Sequence, residues 1–167
     1  YTCFQYGIGD HVVAGTDLYT GVGSSYWGFL VRYGAKISPW FGIGGQVTPS
    51  FNLNDSFKYS YTTGAVYMNG QITSDGKLFW CSNTWLGFNK DADDTFTNWE
   101  YLGYTFSLIN GHSITPMLGA IHSWKFDQDV DIAAGLYYSI KNWNIYLWGN
   151  DFFKDNPRVV VGIDFAL

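Results

Sequence analysis

The chain has 167 residues, of which 47% are hydrophobic and 20% aromatic, while only 14% are charged. Soluble domains carry about 25% charged residues, and a net charge of -5 with few Lys and Arg argues against nucleic-acid binding. No run of about 18 apolar residues is present, which excludes a transmembrane helix. The length suits one domain, residues 1–167.

Apolar and polar residues alternate along most of the chain, which predicts β-strands. Within 26–37, aromatic and aliphatic residues alternate with Gly28, Arg32 and Gly34. Within 41–52, the alternation sets an apolar face against a face that is small or polar throughout. The predicted strands, in chain order, are 1–8, 11–20, 26–37, 41–52, 57–73, 77–88, 97–109, 112–125, 131–140, 143–152 and 158–167.

Several predicted strands carry irregular features. In 57–73, the alternation places Tyr59, Tyr61 and Tyr67 on one face, whereas 78–88 and 97–109 alternate poorly. Pro49 falls inside a predicted strand, as does Pro116. Because proline cannot donate a ladder hydrogen bond, each marks either a bulge or a wrong assignment.

Tight turns and longer polar connections alternate along the chain, as they do in transmembrane barrels. Bacterial single-chain barrels have even strand numbers. Eleven segments therefore predict a wall of ten or twelve strands, with one segment miscounted or a strand missing before Tyr1.

Two fold classes share this alternation: a membrane barrel, and a soluble lipocalin-like barrel with its apolar face inward. A strand face exposed to water normally carries charged residues. In this chain, the face opposite the apolar one carries glycine and small polar residues instead, which suit a crowded barrel interior. Aromatic residues cluster at segment ends, as at membrane interfaces, and the longer connections hold much of the charge. We therefore predict an all-β, antiparallel transmembrane β-barrel with a narrow interior.

The last nine residues resemble the C-terminal signal of Gram-negative outer-membrane proteins, although the chain ends on Leu rather than Phe. Hairpin 6–15 is also similar to those of small porin-like proteins. This resemblance implies a bacterial outer-membrane location, contact with its lipid and lipopolysaccharide, and recognition by the barrel-assembly machinery. The implied signal residues are Val159, Val161, Ile163, Phe165 and Leu167.

Six charged residues are predicted to face the interior. Unpaired charges in a narrow barrel are costly, so one hypothesis is a network of ion pairs that closes the lumen. The alternative is a ring of charges that sets selectivity in a water-filled pore. Bulky inner residues such as Tyr137, Tyr146 and Trp148 favour a narrow lumen. The predicted network is Asp17, Arg32, Lys36, Lys58, Arg158 and Asp164.

Two further groups of residues can be considered, as cation ligands and as a catalytic pair. Asp127, Asp129 and Asp131 could offer oxygen ligands to a cation, although a solvated acidic loop explains them equally simply. His122 and Ser123 are adjacent, so in a strand they point to opposite faces and cannot form a base–nucleophile pair. No cofactor is predicted.

Cys3 and Cys81 are predicted to be two separate inner-face thiols, because several strands lie between them. For function, we expect a non-enzymatic barrel with a narrow or plugged lumen and a structural or interaction role, for example as one subunit of an envelope assembly with protein partners. The alternatives are a small porin-like channel for ions or polar solutes, and a surface lipid-modifying enzyme or protease.

Overall fold

The computed structural model describes residues 1–88, 96–123, 130–155 and 157–165. It is an all-β fold, and none of the described residues belongs to a helix long and apolar enough to cross a membrane. The strands are β1 Thr2–Ile8, β2 Val12–Gly21, β3 Ser24–Ser38, β4 Phe41–Asn52, β5 Lys58–Gln71, β6 Leu78–Gly87, β7 Phe96–Tyr104, β8 Phe106–Ser107, β9 His112–Ser123, β10 Val130–Ile140, β11 Trp143–Asn150 and β12 Arg158–Phe165.

The twelve described strands form one antiparallel sheet in which consecutive strands pair, except that β7 pairs with β9 and not with β8. The short β8 lies off the main path and pairs with β9, on which β7 also pairs. These findings confirm the predicted all-β composition, antiparallel pairing and approximate strand number.

The sheet is not closed: in the part of the chain that the structure describes, β1 and β12 form its two ends. The path from β1 to β12 contains eleven strands, and each runs opposite to the one before. β1 and β12 consequently run in the same direction, so they cannot pair antiparallel. The described path thus has the same number of strands as there are alternating segments in the sequence.

The register assigns each residue to one of two faces, because directly paired residues lie on the same face. On one face, the Trp99 and Trp148 ring centroids are 6.1 Å apart although three strand spacings separate β7 from β11. A flat sheet would separate them by about 14 Å. The sheet therefore curls toward this face, which we call the inner face; the opposite one is the outer face.

Burial on the two faces is inverted relative to a water-soluble sheet. On β4, the inner-face residues Gln46 and Thr48 are 8% and 4% exposed, whereas Val47 between them, on the outer face, is 52% exposed. Large hydrophobic residues are exposed along the outer face of nearly every strand. They include Phe4, Tyr6, Phe29, Val31, Leu102, Leu118, Leu136, Leu147, Val161 and Ile163.

A bulge beside Pro49 changes the faces of β5. The register shifts between Ser50 and Phe51, which pair with Tyr61 and Tyr59. A single extra residue reverses which side chains face inward. Tyr59 therefore lies on the outer face and Tyr61 on the inner face, so the prediction that they share a face was wrong.

Candidate functional site

The inner face of β1–β6 encloses a cavity of about 720 Å³ near the turn that joins β3 to β4. Glycines from β1, β3 and β4 line it, so the wall approaches the cavity as bare backbone at these positions. Charged and amide side chains supply the polar lining. The polar lining includes Asp10, His11, Arg32, Lys36, Tyr67, Asn69, Gln71 and Asn83.

Arg32 is held in the cavity wall by neutral partners. Its Nε and Nη2 donate to Gln46 Oε1 at 2.9 and 2.7 Å, and the Tyr67 hydroxyl donates to the same oxygen at 3.1 Å. The guanidinium carbon lies 4.8 Å from the Tyr67 ring centroid, and Gln46 Nε2 donates to Thr48 Oγ1 at 2.9 Å. None of the described carboxylates forms an ion pair with Arg32, so its charge is not neutralised there.

Aromatic rings fill the inner face of the later strands. The Tyr101 ring lies 4.7 Å from Trp148, edge to face, and Trp148 also stacks on Trp99. Tyr137 stacks on Tyr146 at 5.2 Å. The bulky inner residues from which a narrow interior was predicted thus pack against one another in this aromatic cluster.

The six residues of the predicted charge network do not come together. Lys58 Nζ, at the exposed start of β5, pairs with Asp55 of the preceding turn at 3.0 Å, and Arg158 Nε pairs with Asp151 at 3.5 Å. No ion pair joins two of the six, all of which the structure describes.

The remaining members of that set have separate surroundings. Asp17 accepts a hydrogen bond from the Tyr1 hydroxyl at 3.3 Å, and Asp164 lies opposite Asn144. Only Arg32 and Lys36 share a site, because both line the cavity.

Of the three acidic residues suggested as cation ligands, one forms an ion pair and two lie outside the residues that the structure describes. Asp127 and Asp129 are outside the described residues. Asp131 pairs with Lys154, whose Nζ lies 3.0 Å from Asp131 Oδ1 and 3.7 Å from Asp151 Oδ1. Among the described residues, no group of three His, Cys, Asp or Glu side chains is arranged to hold a metal ion.

The remaining sequence candidates are placed by the register. His122 pairs with Asn98 and Ser123 with Thr97, so His122 and Ser123 lie on opposite faces, as predicted. Both cysteines are free thiols. In the proposed C-terminal signal, four residues form an exposed outer-face row, and Leu167 lies outside the described residues. That row is Val159, Val161, Ile163 and Phe165.

The sequence did not single out Glu100, which lies on the outer face of β7. The register places no other Asp, Glu, Lys or Arg on the outer face of the described strands. Glu100 Oε1 accepts a hydrogen bond from Ser82 Oγ at 2.6 Å, and Glu100 Oε2 accepts one from Trp80 Nε1 at 2.7 Å. Ser82 is fully buried by this arrangement. Poor alternation on these strands was the only signal of such a polar patch.

Comparison with protein-family models, with curated proteins and with solved structures gave no match.

Proposed function

We propose that this chain forms a transmembrane β-sheet wall in the bacterial outer membrane, with a structural or interaction role and an interior largely blocked by its own side chains. The inverted burial of the two faces carries the proposal. Water-soluble proteins rarely expose continuous apolar surface larger than a few hundred Å², whereas a lipid-facing wall requires it.

The inner face supports the blocked interior. Trp148 and Tyr101 fill the space inside the later strands, while Arg32, Gln46 and Tyr67 form a hydrogen-bonded layer inside the earlier ones. A porin-like channel needs a continuous water-filled path, which such layers interrupt.

The open sheet supports a place in a larger assembly. Unpaired backbone groups at a sheet edge are costly in lipid, so the edges of β1 and β12 must be covered in a membrane. A protein partner in the envelope would provide that cover. Lipid, lipopolysaccharide and the barrel-assembly machinery are the other partners that this function requires.

Reconstitution into lipid vesicles tests the membrane location. The refolded chain should float with lipid vesicles in a density gradient and stay with them after extraction with alkaline carbonate. Recovery as a stable monomer in detergent-free buffer would contradict a membrane location.

A small porin-like channel is the second candidate, favoured by the cavity of about 720 Å³ on the inner face. Planar-bilayer recordings separate the two functions. We expect little or no conductance from the wild-type chain, and a large, stable conductance would favour the channel.

A further inference from the structure

We propose that the cavity inside β1–β6 is a binding site for a small organic anion bearing a carboxylate or phosphate group. The proposal concerns only the inner face, so it stands apart from the membrane role of the outer face. A cavity of about 720 Å³ is within the range of small-molecule sites.

Arg32 would bind the acid group. Arginine has five N–H donors in a planar fork that matches carboxylate and phosphate oxygens. Two of these donors engage Gln46, and the guanidinium carbon lies over the Tyr67 ring, 4.8 Å from its centroid. The remaining donors and the full positive charge are available to a ligand.

Lys36 reinforces the positive character of the cavity from its exposed rim. It lies four residues from Arg32 on the same face, about 13 Å along the strand. The lining includes Asp10 as its only acid, so Lys and Arg outnumber Asp and Glu by two to one. This local excess contrasts with the net charge of -5 for the whole chain and attracts anions to the opening.

Amide side chains define the rest of the ligand. Asn69, Gln71 and Asn83 line the cavity, and an amide both donates and accepts hydrogen bonds. This combination suits hydroxyl groups beside the acid group, so the ligand class is a small hydroxylated organic acid or phosphate ester.

Binding of simple oxyanions to the full chain, refolded in detergent micelles, tests the proposal. Inorganic phosphate and acetate are titrated separately at ionic strength held constant with NaCl. Calorimetry gives the affinity, and the NMR resonance of the Arg32 Nε–H group reports the site. We expect saturable binding that moves this resonance. Tighter binding of phosphate would indicate a phosphate ester, and tighter binding of acetate a carboxylic acid.

Three charge-removing variants locate the site. Arg32→Gln should weaken binding by about tenfold or more, since a charge-assisted bond is lost, and Lys36→Gln should weaken it by less. The matched control is Lys58→Gln, which removes the same charge at the exposed start of β5 and should bind like the wild type.

If Arg32→Gln does not fold, Arg32→Lys keeps the charge and loses the planar fork, so it should still weaken binding. Absence of saturable binding by the folded wild-type chain would overturn the proposal. Equal losses in the Lys36 and Lys58 variants would do the same, because they would indicate a general charge effect. Neither result bears on whether the outer face contacts lipid.

Discussion

Inside the curled sheet, the first six strands enclose space and the later strands fill it. Gly34 and Gly44 leave the wall of β3 and β4 bare, and the cavity opens against them. Gly135 on β10 has the opposite role, because the Trp148 ring occupies the place of its missing side chain: a Cβ there would clash with that ring.

Glycine therefore serves two purposes on one inner face, and only its neighbours distinguish them. In the first region its lack of a side chain creates a polar cavity beside Arg32. In the second it admits an aromatic ring that closes the interior. We expect the two regions to differ sharply in their tolerance of substitution.

Removal of Trp148 should have the largest effect on stability. The ring packs against Tyr101, Trp99 and Gly135, so Trp148→Ala should lower the free energy of unfolding by about 3–5 kcal/mol. Trp40→Ala is the control, since Trp40 lies half-exposed at the cavity, and it should cost less than about 1 kcal/mol. Urea unfolding in lipid vesicles measures both. Equal costs would mean that the two regions are packed alike.

A matched pair of glycine variants sharpens the same contrast. Gly135→Ala should cost about 1–3 kcal/mol by overpacking against Trp148, and most of that cost should vanish in the Trp148→Ala background. Gly34→Ala should be neutral or slightly stabilising, because the nearest atom to its new Cβ is 3.8 Å away. A large loss at Gly34 would show that the cavity is not open in the folded protein.

The outer faces of the two regions also differ, because the later strands carry Glu100. Glu100→Gln keeps the hydrogen bonds: the amide oxygen accepts from Trp80, and the amide nitrogen donates to Ser82. If this face contacts lipid, removal of the charge should stabilise the protein by about 1 kcal/mol in bilayers. Glu100→Ala should lack this gain, since two donors lose their acceptor. Destabilisation by Glu100→Gln would place this patch away from lipid.

The smallest expected effect is in the tight turn between β5 and β6. The Thr73 hydroxyl and the Lys77 backbone N–H donate to the Asp75 carboxylate and hold its pKa below the usual 3.8. A lowered pKa in the folded state stabilises the fold fully above pH 3.8, and the contribution is lost as the pH falls through the lowered pKa. Asp75→Asn should therefore be slightly less stable than the wild type at pH 7 and equally stable at strongly acidic pH. A constant difference across this range would exclude the carboxylate as the cause.

The strands and their faces were predictable where both alternate cleanly. Between residues 41 and 52, every second residue is small or polar, so both the strand and its exposed apolar face follow from the sequence. On β6 and β7 the strands were predicted but their faces were not, because Ser82, Asn98 and Glu100 interrupt the apolar face. Their assignment requires the register with neighbouring strands, which no local pattern contains.

The candidate site was only partly predictable for the same reason. Arg32 and Lys36 follow from alternation on one strand. The Gln46 and Tyr67 partners of Arg32 depend on pairing across β3, β4 and β5, and the bulge beside Pro49 affects that pairing. The ion pairs of Lys58 and Arg158 lie with turn residues, whose positions alternation does not predict.

Spin labels on the two faces test the central claim, that the outer face contacts lipid, most directly. Cys3 and Cys81 are first replaced by alanine, and single cysteines are then labelled at outer-face Val47 and at cavity-lining Gly34 in reconstituted vesicles. We predict that the Val47 label collides with oxygen dissolved in the bilayer and not with a water-soluble nickel complex, while the Gly34 label shows the reverse. Collision of the Val47 label with the nickel complex, at the rate of a label in water, would contradict a lipid-facing outer wall.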